Sequence, residues 1–185
     1  MKNHIIITGT GRSGTTFLMQ LLTALKLDTG FHDINDDIHD NSCGMERGIG
    51  EINEETPYIV KSPYFCLTLN KINNYTIDHI FVPIRDLDDA AESRIRVSKD
   101  NIDAPGSLWG TKDPTKQKEF LLNAIYQLIL SSTQLDIPIT FLSFPRIVID
   151  PEYLYNKLMI LKLDKEKFYE AFRKTSRPGL IHFWG

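Results

Sequence analysis

A glycine-rich run near the N-terminus has the composition of a phosphate-binding loop. It reads GTGRSGTT over residues 9–16, after the β-branched segment HIIIT at residues 4–8 and before the apolar stretch at residues 16–26. A glycine-rich turn between a strand and a helix presents backbone N–H groups and the positive end of the helix dipole to a phosphate. A turn with no ligand would not require the basic and hydroxyl side chains that lie between these glycines.

The loop differs from the usual nucleotide-binding loop at one position. Its glycines have the GxxxxG spacing, but Thr15 stands where GxxxxGK[ST] has the lysine that reaches the β and γ phosphates. This substitution disfavours an ATPase or a kinase. The residues that we expect to hold a phosphate are Gly11, Arg12, Ser13, Gly14, Thr15 and Thr16.

Two later cations end predicted strands. Lys61 ends the segment YIVK, and Arg85 follows HIFVPI with Ser93 eight positions further along. Lysines and arginines at strand ends and serines on helices are common surface residues. Taken singly, these positions therefore indicate little about function.

The ordered set of motifs resembles the sulfotransferase family. GRSGTTFL is similar to the family's 5′-phosphosulfate loop, with Arg12 in the basic position as in the tyrosylprotein branch, where cytosolic members usually have lysine. Arg85 and Ser93 have the spacing of the arginine and serine that bind the 3′-phosphate in that family. The segment YIVKSP resembles the strand that ends in a lysine in the tyrosylprotein and heparan-type members.

The resemblance continues almost to the C-terminus. The segment from Phe141 through Asp150-Pro151 to Leu163 is similar to the late strand, the Asp-Pro-capped helix and the leucine-rich end of these relatives. The chain departs from the family at Pro145-Arg146, where an acidic residue is usual, and it is shorter than most relatives.

The resemblance implies a donor, a product and roles for residues. The donor would be 3′-phosphoadenosine 5′-phosphosulfate (PAPS), the product adenosine 3′,5′-bisphosphate (PAP), and the reaction an in-line transfer of a sulfuryl group to a hydroxyl or an amine without a metal. Arg12 and Lys61 would stabilise the charge that develops on the departing 5′-phosphate. Arg85 and Ser93 would bind the 3′-phosphate, and Lys174 and Arg177 of the basic C-terminal segment would add to that contact.

An acceptor hydroxyl also needs a base. The carboxylate of the tyrosylprotein branch lies about as far beyond the phosphate loop as His32 and Asp33 lie here. His32 has a suitable reference pKa and Asp33 has the residue type of that branch. Asp36 and Glu46 are the remaining candidates.

Alternating apolar strands and helices predict the fold that positions these residues. We expect a single three-layer α/β domain over residues 1–185, with a mostly parallel central sheet of about five strands. The expected strands lie at residues 4–8, 29–31, 58–62, 79–84 and 137–144. A helix is expected to begin at Asp86, which would cap it.

The composition limits the binding partners and the cellular location that can be expected. The 185 residues carry a formal charge of −3, and no apolar run reaches the length of a membrane span. A nucleic-acid partner is disfavoured by this charge, and a cytoplasmic location is expected because no signal peptide is evident and the two cysteines form no disulfide framework.

An acidic stretch points to the kind of acceptor. Residues 28–55 hold nine acids and one arginine, a charge of −8. The loop at residues 100–116, which contains Trp109, is the other segment that could cover the acceptor. If these segments border the acceptor site, a neutral or cationic small molecule or carbohydrate is favoured over a polyanion. The alternatives to a sulfotransferase are a nucleotide or small-molecule kinase and a non-catalytic domain that binds an adenine nucleotide.

Overall fold

Four parallel strands form the centre of the fold. The computed structural model describes residues 3–39, 42–47, 55–72 and 76–181. Its strands are β1 (Asn3–Ile7), β2 (Ile59–Lys61), β3 (Thr76–Ile84) and β4 (Ile139–Ser143), in the spatial order β2-β1-β3-β4. Ile6 lies opposite Val60 on one side and Ile80 on the other, and all three pairings are parallel. These β-branched side chains are fully buried, as expected for a sheet that is covered on both faces.

Seven α-helices connect the strands and cover the sheet. They are α1 (Thr15–Ala24), α2 (Phe65–Thr68), α3 (Leu87–Asp100), α4 (Gln117–Gln134), α5 (Arg146–Ile149), α6 (Pro151–Lys157) and α7 (Lys165–Thr175), as far as the described ranges extend.

The alternation of side chains along the strands creates two cores. Ile5, Ile7 and Phe81 face one side of the sheet, where they pack with residues of α1, α5, α6 and α7. Ile6 and Ile80 face the other side, where they pack with residues of α2, α3 and α4. The expected three-layer α/β architecture with a parallel sheet is confirmed.

The expected number of strands was wrong, because the segment at residues 29–31 is not a strand. Gly30 has a φ of 74°, which interrupts an extended backbone. Thr29 instead exchanges a 2.7 Å hydroxyl hydrogen bond with Thr23 of α1, and Phe31 is buried in the core. The segment thus packs as a loop beside β2.

Other boundaries follow the sequence closely. Asp86 caps α3 as predicted and accepts hydrogen bonds from the backbone N–H groups of Asp88 and Asp89 at 2.8 and 3.1 Å. Parts of the acidic stretch, at residues 40, 41 and 48–54, lie outside the described residues. Within the described ranges, no helix is long and apolar enough to cross a membrane.

The cap of α7 gives a test of this architecture away from the loops. Asp164 accepts a hydrogen bond from the N–H of Lys167 at 2.9 Å, and α7 buries Phe168 and Phe172. Asp164→Ala should lower the free energy of unfolding by about 1 kcal/mol, whereas Asp164→Asn, which retains a capping oxygen, should change it little. Urea denaturation measures both, and equal losses in the two variants would contradict the assigned cap.

Candidate functional site

The loop between β1 and α1 lies at the base of a cavity of about 660 Å³. Several of its residues have left-handed backbone angles, including Gly11 at φ 67°, Arg12 at 54° and Gly14 at 90°. Gly14 occupies the N-cap position, and no side chain of the described residues caps α1. The first N–H groups of α1 have no carbonyl partner within the helix, so an anion in the cavity can accept hydrogen bonds from them.

Two glycines of this loop have no room for a side chain. A Cβ at position 11 would overlap the guanidinium of Arg94, and one at position 14 would lie 2.9 Å from Cδ1 of Ile147. Both positions also have the positive φ that glycine adopts at little cost. The glycines therefore bring the loop close to both flanking layers.

The cations predicted for the two phosphates meet at this loop. Arg12 donates from Nε to Oγ of Ser93 at 3.1 Å, and Arg85 donates from Nη1 to the carbonyl of Arg12 at 3.0 Å. Burial lowers the pKa of both arginines; for Arg85 the charge of Arg12 lowers it further, while Asp89 opposes the shift. Guanidinium groups this close repel one another, and an anion between them would offset that repulsion.

Lys61 lies on the other side of the loop and is buried, with a side chain 2% exposed. Its ammonium donates to Oγ1 of Thr16 at 3.0 Å, to Oε1 of Glu46 at 2.8 Å and to the carbonyl of Gly44. Burial lowers the pKa of Lys61, and the Glu46 carboxylate partly reverses this shift. The lysine thus connects α1 to the segment at residues 42–47.

One hydroxyl of the loop has no hydrogen-bond partner among the described residues. Ser13 is fully buried, and among the described residues its Oγ accepts or donates no hydrogen bond. An unpaired buried hydroxyl is costly unless a ligand or a water molecule satisfies it. Ser13 does not line the cavity, because its Oγ lies within the protein, 3.7 Å from the position of a Cβ at Gly9. The arginines do line the cavity and are the groups that fit an anion there.

The structure distinguishes among the four residues that are candidates for the general base. His32 and Asp33 are exposed and do not line the cavity. Asp36 accepts hydrogen bonds from their backbone N–H groups, both at 2.9 Å, so it stabilises a turn. Of the four candidates only Glu46 lines the cavity, and Asp37 and His39 line it as well.

The structure also distinguishes between the two basic residues near the C-terminus that were expected to contact the ligand. Lys174 is exposed and pairs with Glu170 at 2.6 Å, away from the cavity. Arg177 lines the cavity, while its Nη1 donates to the carbonyl of Lys174 at 2.9 Å. Only Arg177 is therefore positioned for the predicted contact with a ligand.

Sequence reasoning missed Arg94 in the cavity wall, and it expected Trp109 there only as part of the loop at residues 100–116 that could cover the acceptor. Trp109 lies between Tyr64 and Phe120, with ring centroids at 5.9 and 5.1 Å. Arg94 is buried on α3 four residues after Ala90, which is on the apolar face of that helix. A charged residue at that helical spacing was the signal available for Arg94, whereas the position of Trp109 depends on loop packing.

The chain matches no protein-family model, no curated protein and no solved structure.

The pair formed by Lys61 and Glu46 gives a test of the site's electrostatics. Glu46→Gln should lower the free energy of unfolding by about 1–3 kcal/mol, because it weakens a charge-assisted hydrogen bond to a buried ammonium. Glu92→Gln, which alters the exposed pair with Arg96 at 3.0 Å, is the control and should cost less than about 0.5 kcal/mol. Urea denaturation at neutral pH measures the free energy of unfolding of both variants. Equal losses would show that burial does not strengthen the interaction between Lys61 and Glu46.

Proposed function

We propose that this protein is a sulfotransferase that transfers the sulfuryl group of PAPS to an acceptor hydroxyl or amine and releases PAP. The observation that supports this most is the shared cavity of the predicted residues. Arg12, Lys61, Arg85 and Ser93 come from distant parts of the sequence, yet all line the cavity above the phosphate loop. In the sequence they form the motif set that resembles the family.

The residues present fit the two anionic ends of such a donor. At the loop, the start of α1 and the ammonium of Lys61 would bind the 5′-phosphosulfate. The 3′-phosphate would lie beside Arg85 and Ser93, with Arg177 at the cavity edge. Apolar side chains at the edge, such as Phe144 and Ile181, would contact the nucleoside.

The chemistry requires a proton acceptor and stabilisation of the leaving phosphate. PAPS supplies an activated sulfuryl group whose bond to the 5′-phosphate breaks with the electron pair left on the phosphate oxygen. Lys61 and the loop N–H groups would stabilise that charge as it develops. Glu46 would accept the proton of the acceptor as the new bond to sulfur forms, and its contact with Lys61 orients the carboxylate.

The nucleotide preference tests this function. Adenosine 3′,5′-bisphosphate in the presence of EDTA should raise the melting temperature, and at about 100 times its Kd the stabilisation should be about 2.7 kcal/mol. Stabilisation by ATP and magnesium alone would overturn the proposal and indicate a kinase. Binding of the bisphosphate without transfer to any of a broad set of acceptors would indicate the non-catalytic nucleotide-binding domain.

The same titration on a variant tests the 3′-phosphate contact. Arg85→Ala should weaken binding of the bisphosphate by about tenfold or more, since a charge-assisted hydrogen bond is lost, and should affect adenosine 5′-monophosphate much less. Arg96→Ala, on the exposed side of α3, is the control and should leave both affinities unchanged. Equal losses for the two nucleotides in Arg85→Ala would refute the assignment.

The acceptor is proposed to be a neutral or cationic small molecule or carbohydrate. Asp37, Glu46 and Asp103 line the cavity, and carboxylates beside the acceptor would repel polyanions. A cytoplasmic location is part of the same proposal, because Cys43 and Cys66 are both thiols, as a reducing compartment would keep them.

Acceptor selection is tested by rates measured at two salt concentrations. Neutral or amine-bearing acceptors should react faster than sulfated glycans, and Asp103→Asn should raise the rate with an anionic acceptor because one repulsive charge is removed. Asp100→Asn, at the end of α3 and outside the cavity, is the control. A preference for polyanionic glycans that strengthens at low salt would overturn this acceptor class.

A further inference from the structure

Arg94 is a buried cation that joins two loops of the cavity. Its side chain is attached to α3 and the residue is 4% exposed. Nε and Nη2 donate to the carbonyl of Thr10 at 3.0 and 2.7 Å, and Nη1 donates to the carbonyl of Ser107 at 2.6 Å. Thr10 belongs to the phosphate loop, whereas Ser107 belongs to the segment between α3 and α4 at residues 101–113, called here the covering loop.

The covering loop lies directly against the phosphate loop. A Cβ at Gly106 would be 3.4 Å from Cδ of Arg12, and Sγ of Cys43 donates to the carbonyl of Pro105 at 3.2 Å. The ring of Trp109 lies 5.5 Å from the guanidinium carbon of Arg94. The guanidinium therefore connects this loop to Thr10, while the backbone of Trp109 is also held by two hydrogen bonds with the side chain of Gln117.

The charge of Arg94 has no protein counterion among the described residues. None of the ion pairs among the described residues involves Arg94, and its three hydrogen bonds all go to carbonyl oxygens. Burial lowers the pKa of Arg94 to about 10, and the charge of Arg12 contributes to this shift. Burying a cation without a counterion is costly, and an anion bound in the adjacent loop would reduce that cost.

We propose that Arg94 is a positioning residue that couples the phosphate loop to the covering loop, so that an anion bound in the phosphate loop orders the wall containing Trp109. An anion near the guanidinium lowers the cost of burying this cation, so the arrangement in which it is buried between the two carbonyls is favoured. The planar guanidinium of an arginine can donate hydrogen bonds to both carbonyls at once, whereas the single nitrogen of a lysine does not span them. The coupling rests on the proposed function only for the identity of the nucleotide, because any phosphate anion in the loop would produce it.

Amide hydrogen exchange can detect the coupling. The N–H of Ser107 donates to the carbonyl of Ala104 at 3.0 Å and that of Trp109 to Oε1 of Gln117 at 2.8 Å, so both report order in the covering loop. With inorganic pyrophosphate or adenosine 3′,5′-bisphosphate as the probe, exchange of these amides should slow by about tenfold in the wild-type protein. In Arg94→Lys the same ligands should slow exchange at residues 9–14 but not in the covering loop.

Arg96→Lys, an exposed change on the same helix, is the matched control and should behave as the wild type. Equal slowing in the covering loop of Arg94→Lys and the wild type would overturn the coupling.

A second measurement needs no change at Arg94. In Trp184→Phe, Trp109 is the remaining tryptophan, and its fluorescence should change when the probe binds. Unchanged fluorescence while the melting temperature rises would also overturn the coupling.

The outcomes separate this inference from the proposed function. Coupling by pyrophosphate without any preference for the 3′-phosphorylated nucleotide would support the role of Arg94 and contradict the sulfotransferase. Binding of the bisphosphate with a covering loop that does not respond would support the nucleotide site and contradict the role of Arg94.

Discussion

The parallel pairing of β1 with β2 and β3 is the constraint on which the site depends. Parallel strands end at the same edge of a sheet, so the phosphate loop, Lys61 and Arg85 emerge side by side although they are far apart in sequence. The two cores hold this edge in place because they bury opposite faces of the same strands. The cavity is thus a consequence of the sheet order.

Charge is distributed unevenly around that edge. Lys61 has a carboxylate partner in Glu46, so its burial is compensated within the protein. Arg94 bonds only to carbonyls and lies near Arg12, which leaves positive charge at the phosphate loop. A cavity with this imbalance favours an anionic ligand at the loop, while the carboxylates of Asp37 and Asp103 lie among its other lining residues.

Local sequence patterns predicted the elements that are determined by interactions between residues close together in the chain. The apolar run before the glycine loop, the cap at Asp86 and the Asp-Pro start of α6 all form as expected, because short-range sterics and hydrogen bonds determine them. The segment at residues 29–31 was misassigned because its apolar and β-branched residues suit a strand, whereas the positive φ of Gly30 and the bond between Thr29 and Thr23 favour a packed loop.

The sequence by itself determined the phosphate-loop motif, the α/β alternation and the residue types that can bind an anion, since these depend on composition and spacing along the chain. Only the tertiary structure decided which of the candidate bases lines the cavity: Glu46 does, and His32, Asp33 and Asp36 do not. It also decided that Arg94 joins two loops. Such contacts depend on how loops fold over the sheet edge, and loop packing leaves no periodic pattern in the sequence.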